Sequence, residues 1–350
     1  GEWIDKDIGL VHRRLIVIDP EGGKQPMTKK IANNKFIISY NGELYNTAEL
    51  RRQLCKLGHK FKSHSDTEVL LTDYIEWGVE VVNCLNGIYS FAVWDQKKEQ
   101  LFLARDRIGV KPLFYSCREK GLYFASELKS ILTHPEVEPV IGREGLAEVF
   151  SMGPGRTPGH GVFKEIEELK PGQYLIYNKQ GIKVKKYWEL QSRPHKESLE
   201  ETVNNVRKLF IDTVQRQLIS DVPICTLLSG GLDSSAITAV ASQKLKEQYN
   251  KQLHTYSVDY KDNQKHFESS QFQPSTDDKW INMMSNHSDT RHHNVVLNNQ
   301  QLVKALKEGV YARDLPGMAD IDVSLYLFCK EIEKNRSEEH TSELQSRMFI

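Results

Sequence analysis

The heptapeptide Ser229-Gly230-Gly231-Leu232-Asp233-Ser234-Ser235 has the composition of an anion cradle. Two adjacent glycines let a backbone turn sharply and bring N–H groups against a phosphate. A helix starting behind them points its positive end at the same place, and three serine hydroxyls add donors. Asp233 repels a bare phosphate, but it has a role if Mg²⁺ lies between its carboxylate and the phosphates. The loop lacks the closing Gly-Lys-Ser/Thr of a Walker sequence. Three further segments lie upstream: His12-Arg13-Arg14-Leu15-Ile16-Val17-Ile18-Asp19, Asn41-Gly42-Glu43-Leu44-Tyr45-Asn46 and Ser65-Asp66-Thr67-Glu68. They offer a fixed cation, an amide that ends a strand beside a backbone N–H, and a fixed anion. A zwitterionic amino acid needs that cation for its carboxylate and that anion for its ammonium group. An amide under attack needs donors for its developing oxyanion, which Asn41 and the Gly42 N–H supply. Each segment alone has a plainer reading: Asn41-Gly42 as a hairpin turn, Arg14 as a surface residue, Ser65-Asp66 as a helix cap. Their joint occurrence ahead of the anion loop favours a site.

The elements around these residues fall into two patterns. The anion loop follows Ile224-Cys225-Thr226-Leu227-Leu228, a continuous apolar run of the kind a parallel strand buried on both faces shows. A helix over 234–246 and a strand over 254–258 follow, and strand–helix–strand predicts a parallel α/β unit. Ahead of the loop, Val203, Val206, Phe210, Val214 and Leu218 recur at helical spacing, predicting a helix over 199–219. Ser198 and Glu201 form its capping box. The polar stretch 191–198, with Pro194, reads as a linker. Residues 9–190 are dense in short strands: 36–40, stopped by Asn41-Gly42; 88–94 beside 100–104; 113–115 with 122–125; 172–177 with 182–188. Amphipathic helices are predicted over 49–57 and 67–77. This pattern predicts a layered sheet domain.

Composition narrows the function. The 350 residues carry Lys+Arg 47 and Asp+Glu 47, so no whole-chain field draws the protein to nucleic acid or an anionic membrane. No apolar run reaches the ~18 residues of a membrane span, and the first residues contain no apolar signal core. Cys55, Cys84, Cys117, Cys225 and Cys329 are scattered, without paired spacing, as in a reducing cytoplasm. His266, His287, His292 and His293 fall in a stretch rich in Asn, Ser and Asp, which reads as a solvated loop rather than a metal site.

The upstream segments, with Ala104-Arg105-Asp106-Arg107-Ile108-Gly109-Val110-Lys111-Pro112-Leu113-Phe114-Tyr115 and Ala125-Ser126-Glu127-Leu128-Lys129, resemble class II glutamine amidotransferases of the N-terminal-nucleophile type, in particular the asparagine synthetase B family. The heptapeptide resembles the loop of ATP pyrophosphatases. The resemblance covers residues 9–335 and implies an α/β and α+β protein: a layered N-terminal-nucleophile sheet domain (1–190), a linker (191–198) and a parallel-sheet ATP-pyrophosphatase domain (199–335). It implies that Arg14 holds the glutamine carboxylate, that backbone to Ile18 and the Glu43 side chain border the pocket, and that Asp66 holds the α-amine. Asn41 and Gly42 would form the oxyanion hole. Leu228, Ser229, Gly230, Gly231, Asp233, Ser234 and Val258 would bind ATP, with Asp233 meeting Mg²⁺ through the pyrophosphate.

The implied activity converts aspartate to asparagine with ammonia from glutamine, through an aspartyl-adenylate, releasing AMP and pyrophosphate. The implied setting is cytoplasmic, with glutamine, aspartate and ATP as small-molecule partners, no nucleic acid or membrane partner, and a homodimer left open. Other acceptors, as in β-lactam synthetases or peptide cyclases, also stay open, as does a non-catalytic fragment that binds glutamine or ATP. The sequence departs from the family at both ends. The family's nucleophilic cysteine is its first residue, whereas this sequence begins Gly1 and reaches its first cysteine at Cys55. The expectation is a chain truncated at both ends and inactive as written. From Arg336, the string Arg336-Ser337-Glu338-Glu339-His340-Thr341-Ser342-Glu343-Leu344-Gln345-Ser346 is similar to the translation of a common DNA-sequencing adapter, so 336–350 is expected not to be selected protein sequence.

Overall fold

The structure, a computed structural model, describes residues 1–271 and 275–334 in two compact units. The adapter-like tail lies outside the described residues. The first unit comprises Gly1–Arg193 together with Asp314–Gly317. Its strands in chain order are β1 (Glu2–Asp5), β2 (Ile8–Val11), β3 (Met27–Ile31), β4 (Asn34–Leu44), β5 (Gly87–Asp95), β6 (Gln100–Arg105), β7 (Phe114–Arg118), β8 (Gly121–Ala125), β9 (Glu167–Glu168), β10 (Gln173–Asn178) and β11 (Gly181–Lys186). Six of them form an antiparallel sheet in the order β11-β10-β6-β5-β4-β3.

Period-two alternation gives this sheet two apolar faces. On one, Ile38, Tyr40, Phe91, Val93, Phe102 and Tyr174 pack on Leu50 and Leu54 of helix Thr47–Lys56 and on Val69, Leu70 and Tyr74 of helix Asp66–Trp77. On the other, Ile37, Ala92, Trp94, Leu101, Leu103 and Leu175 pack on Leu10 of β2 and on Leu113 and Tyr115 near the β7 sheet. Ile37 and Ile38, one for each face, are both fully buried. Each such side chain contributes roughly 1.5–3 kcal/mol. The result is a layer of helices, a central sheet, and a layer of small strand pairs.

The strand predicted to stop at Asn41-Gly42 instead runs on to Leu44. Asn41 pairs with Ser90 and Gly42 with Tyr89. The glycine answers to crowding rather than a turn: a Cβ there would collide with the Ile88 carbonyl and stand 2.7 Å from Tyr89 Cα. Late in the chain, Asp314–Gly317 folds with this first unit. The Asp314 carboxylate accepts the Leu128 N–H at 2.7 Å and the Lys129 ammonium at 2.7 Å, and Leu315 is buried among Leu128 and Ile131.

The second unit begins at Pro194. Helix Leu199–Arg216 carries the Ser198/Glu201 capping box. β12 (Cys225–Leu227), β13 (His254–Tyr260) and β14 (Arg291–Leu297) form a parallel sheet in that order, with helix Leu232–Tyr249 joining the first two and helix Asp278–His287 preceding the third. The histidine stretch differs from the predicted loop. His292 and His293 sit on β14, half-buried, and His287 ends a helix. The His292 ring bonds the Thr255 hydroxyl at 2.9 Å and the Ser257 hydroxyl at 3.0 Å. The His293 ring meets His254 at 3.1 Å and stacks on Tyr256. Polar residues on β13 satisfy these rings, so the stretch is polar and still a strand. Among the described residues no helix is long and apolar enough to cross a membrane.

Candidate functional site

In the first unit, Arg14 is fastened by the turn that follows it. Its guanidinium donates to the carbonyls of Ile18, Asp19 (3.0 Å) and Pro20 (3.2 Å). Gly23 makes room for it, since a Cβ at that position would collide with Nη2. Asp19 continues the network. Its buried carboxylate accepts the N–H of Gly22 at 2.7 Å and of His64 at 2.8 Å, and the His64 ring lies 3.3 Å away. Burial works against the charge of Asp19, but these N–H groups and the His64 ring hold its carboxyl below the usual range.

The segment entered at His64 leads to the anion. Ser65 caps helix Asp66–Trp77 by accepting the Thr67 N–H, which puts Asp66 at the helix's positive end. Asp66 is buried, and its Oδ2 accepts the Tyr40 hydroxyl at 3.2 Å and the Leu44 N–H at 3.4 Å. Burial raises the Asp66 carboxyl above its ordinary range; these donors oppose the rise and nearby Glu43 adds to it. Among the described residues no cation pairs with Asp66.

Between Arg14 and Asp66 in sequence lies β4, whose residues Asn41, Gly42 and Glu43 include the expected oxyanion donors. The Asn41 side-chain amide donates to the Ser126 hydroxyl at 3.1 Å. Just before it, the Gln25 side chain brackets the Tyr40 backbone, accepting its N–H at 2.6 Å and donating to its carbonyl at 3.0 Å. Pro26 has no N–H to extend the β3 ladder, and the Gln25 amide does so instead. Arg14 and Ile18 thus share a hydrogen-bonded frame with Asp19, whose carboxylate ties it to the N–H of His64, two residues before Asp66; Asp66 itself is bonded to Tyr40 and Leu44 of the strand that carries Asn41, Gly42 and Glu43. Gln25, Tyr40, Asp19, His64 and Ser126 complete that frame and carry no local sequence signal for the role.

The long segment after β6 is scaffold. Asp106 is fully buried and accepts the N–H groups of Tyr89, Ile108, Val110 and Lys111 at 2.9–3.2 Å. Arg105 donates to the carbonyls of Lys111, Gly109 and Leu169 and pairs with Glu168 at 3.1 Å. Together they lock the loop against β5 at Tyr89 and against Glu168 and Leu169.

In the second unit, Leu228, Ser229, Gly230 and Gly231 form the loop between β12 and helix Leu232–Tyr249, and Asp233 and Ser234 lie in that helix's first turn. Leu228 is fully buried and its N–H extends the pairing with β13 by donating to the Tyr256 carbonyl at 2.8 Å. Val258 lies further along β13 and is partly exposed. The loop bonds to itself. The Ser234 hydroxyl accepts the Ser229 N–H at 3.3 Å, meets the Ser229 hydroxyl at 3.1 Å and donates to the Gly231 carbonyl at 3.2 Å. Gly230 has a left-handed φ of 77° and would place a Cβ 3.0 Å from Trp280 Cβ and 3.1 Å from the Asp277 carbonyl. Burial, with repulsion from Asp278 and Asp259, raises the Asp277 carboxyl. Sequence reasoning missed Asp277 and Trp280, which approach the loop from a separate helix.

A layered antiparallel sheet with a buried polar frame, followed by a parallel sheet with a glycine-rich loop, defines a two-unit α/β protein. Residues 1–188 match the glutamine amidotransferase domain and residues 205–338 match asparagine synthase. The chain belongs to the glutamine amidotransferase domain family, here followed by an asparagine synthase domain. It is 50% identical over 333 residues to asparagine synthetase [glutamine-hydrolyzing] 3 of Bacillus subtilis, covering 95% of this chain and 54% of that protein. It is 30% identical over 334 residues to the asparagine synthetase of Zea mays (94% and 49% covered), and 28% identical over 353 residues to asparagine synthetase B of Escherichia coli (95% and 54%). The chain spans about half the length of these relatives.

Proposed function

We propose that the chain carries the glutamine pocket and the nucleotide loop of an ATP-dependent amidotransferase, a carbon–nitrogen ligase that makes asparagine from aspartate with ammonia drawn from glutamine. In this reading Arg14 holds the glutamine carboxylate, backbone at Ile18 lines the pocket, and Asp66, with Glu43 beside it, holds the α-ammonium. The Asn41 amide and the Gly42 N–H would stabilise the oxyanion that develops on the side-chain carbonyl when a nucleophile, in this family an N-terminal cysteine thiol that is not among these residues, adds to its carbon; collapse of that intermediate breaks the C–N bond, and the protonated amine leaves as ammonia.

The ATP phosphates then lie against Ser229, Gly230, Gly231, Asp233 and Ser234, with adenosine beside Leu228 and Val258. An aspartate carboxylate oxygen attacks the α-phosphorus and pyrophosphate leaves; ammonia attacks the resulting acyl-adenylate and AMP leaves. The carboxylate of Asp233 would meet a Mg²⁺ shared with the phosphates, which when bound would neutralise their charge. Among the described residues no group of three or more His, Cys, Asp or Glu is gathered to hold a metal, so the phosphates would complete its shell. We place the enzyme in the cytoplasm, in keeping with its five scattered cysteines without paired spacing, with small-molecule substrates and with homodimer assembly left open.

The observation that carries this reading is that both families match in order along one chain, half of whose residues are identical over 333 positions to an asparagine synthetase. The test is ³¹P and ¹⁵N NMR of the complete gene product with aspartate, MgATP and amide-labelled glutamine. The expected result is labelled asparagine with AMP and pyrophosphate in equal amounts. Formation of ADP and phosphate, or of an amide on another acceptor only, contradicts it.

A further inference from the structure

Tyr40 is a core residue with a polar end. It is 3% exposed, stands on β4 directly before Asn41, and turns its ring into the helix-covered face of the sheet. Its hydroxyl nevertheless reaches the Asp66 carboxylate at 3.2 Å, and its backbone is held on both sides by the Gln25 amide. An apolar residue would fill this position without the cost of burying a hydroxyl. We propose that Tyr40 is a positioning residue for the glutamine α-ammonium: it holds Asp66 Oδ2 and so fixes the carboxyl that receives the cation. This rests on the reading that Asp66 binds the α-amine.

The surroundings of Asp66 leave little else to do this. The groups facing it from β4 are the Tyr40 hydroxyl, the Glu43 carboxylate and the Leu44 N–H; on its own helix there is the Thr67 N–H. Glu43 repels it, and the Leu44 bond is long at 3.4 Å. Tyr40 itself keeps its proton, because burial and the charges of Asp66 and Glu43 raise its hydroxyl well above its ordinary range. It therefore remains a donor at every pH at which the protein works, and its bond favours the charged carboxylate over the neutral acid. The same residue joins the two ends of the pocket: its side chain sets the ammonium-binding anion, and its backbone, clamped by Gln25, leads straight into Asn41 and Gly42.

The test is glutamine titration calorimetry on the chain from pH 4 to 8, with Tyr40→Phe and Asp66→Asn. The expected result for Tyr40→Phe is about tenfold weaker binding, with the acid midpoint moved up by about one pH unit. Asp66→Asn is expected to abolish binding. The ¹³C shift of the Asp66 carboxyl against pH, in the absence of glutamine, provides a second readout that does not depend on affinity, and Tyr40→Phe should raise its midpoint likewise. If Asp66→Asn abolishes binding while Tyr40→Phe leaves both midpoints in place, the ring serves only for packing and the proposal is wrong. If Asp66→Asn binds glutamine like the wild type, the underlying assignment of Asp66 fails first and takes the proposal with it.

Discussion

In the first unit the carboxylates of Asp19 and Asp66 take hydrogen bonds from partners 22 to 45 residues away in sequence, inside the fold. In the second unit the anion loop bonds to itself across at most five residues and lies largely open to solvent. The first arrangement makes site and fold one object: the donors that orient the anions also join β4, the Asp66–Trp77 helix and the turn after Arg14. The second separates them, because exposed hydroxyls on a short loop can exchange their mutual bonds for a ligand's at small cost. Substitutions in the first site should therefore change stability and binding together, whereas substitutions of the loop's exposed polar side chains should change binding with little effect on stability.

The largest expected effect tests this at two glycines. Gly42→Ala forces a Cβ into the Ile88 carbonyl and Tyr89 backbone, neither of which is a flexible end. It should cost the first unit about 3 kcal/mol. Gly230→Ala meets a left-handed backbone and looser neighbours, Trp280 Cβ at 3.0 Å and the Asp277 carbonyl at 3.1 Å, and should cost the second unit only about 1 kcal/mol. Urea unfolding followed by hydrogen exchange in each unit measures both, and equal losses would remove the distinction.

A buried acid outside the pocket comes next. Asp73 is fully buried, neither of its carboxylate oxygens has a hydrogen-bond partner, and burial raises its carboxyl from 3.8 to about 8. The folded state keeps this proton after the unfolded chain has released it, so first-unit stability is full below 3.8 and falls as pH rises to about 8. The slope should approach 1.4 kcal/mol per pH unit. Asp73→Leu should remove the slope and add about 4 kcal/mol at neutral pH. A variant no more stable than wild type at pH 7, with the slope retained, would show that Asp73 is solvated.

At the loop, Asp233→Asn should weaken MgATP binding about tenfold while leaving urea unfolding unchanged. Calorimetry with MgATP reads the first, and a shifted unfolding midpoint would mean that the loop is as integral to its unit as the buried polar frame is to the first. The smallest effect lies in the second unit's histidines. Burial, then the charge of a neighbouring histidine, lowers His292; burial, then His254 and Arg291, lowers His293. The folded state therefore resists protonation, and second-unit stability is full above about 6.5 and declines as pH falls, by less than about 1 kcal/mol. The two units should thus respond to pH with opposite signs, and hydrogen exchange between pH 5 and 8 in each unit can show it.

The same contrast explains what could be read from sequence. The anion loop is local: seven consecutive residues between an apolar run and a helix carry their own geometry, and period counting located Leu199–Arg216 with its cap. Hairpins such as β7–β8 were legible because turn and strands adjoin. Asn41-Gly42 misled, because a dipeptide common in turns stands here in mid-strand, where the demand for glycine comes from β5, about 45 residues on. The histidine stretch misled because its polar side chains find partners across the sheet, which no local pattern records. Asp19, Gln25 and Tyr40 went unassigned for that reason too: each acts through a bond whose other end is distant in sequence.

In the proposed reading the first unit binds a zwitterion, its carboxylate at Arg14 and its ammonium at Asp66. Calorimetric titration with L-glutamine, with an analogue lacking the α-amine and with one lacking the α-carboxylate addresses this directly. The account predicts that glutamine binds and that each analogue binds at least tenfold more weakly. Equal affinity for the three would contradict it.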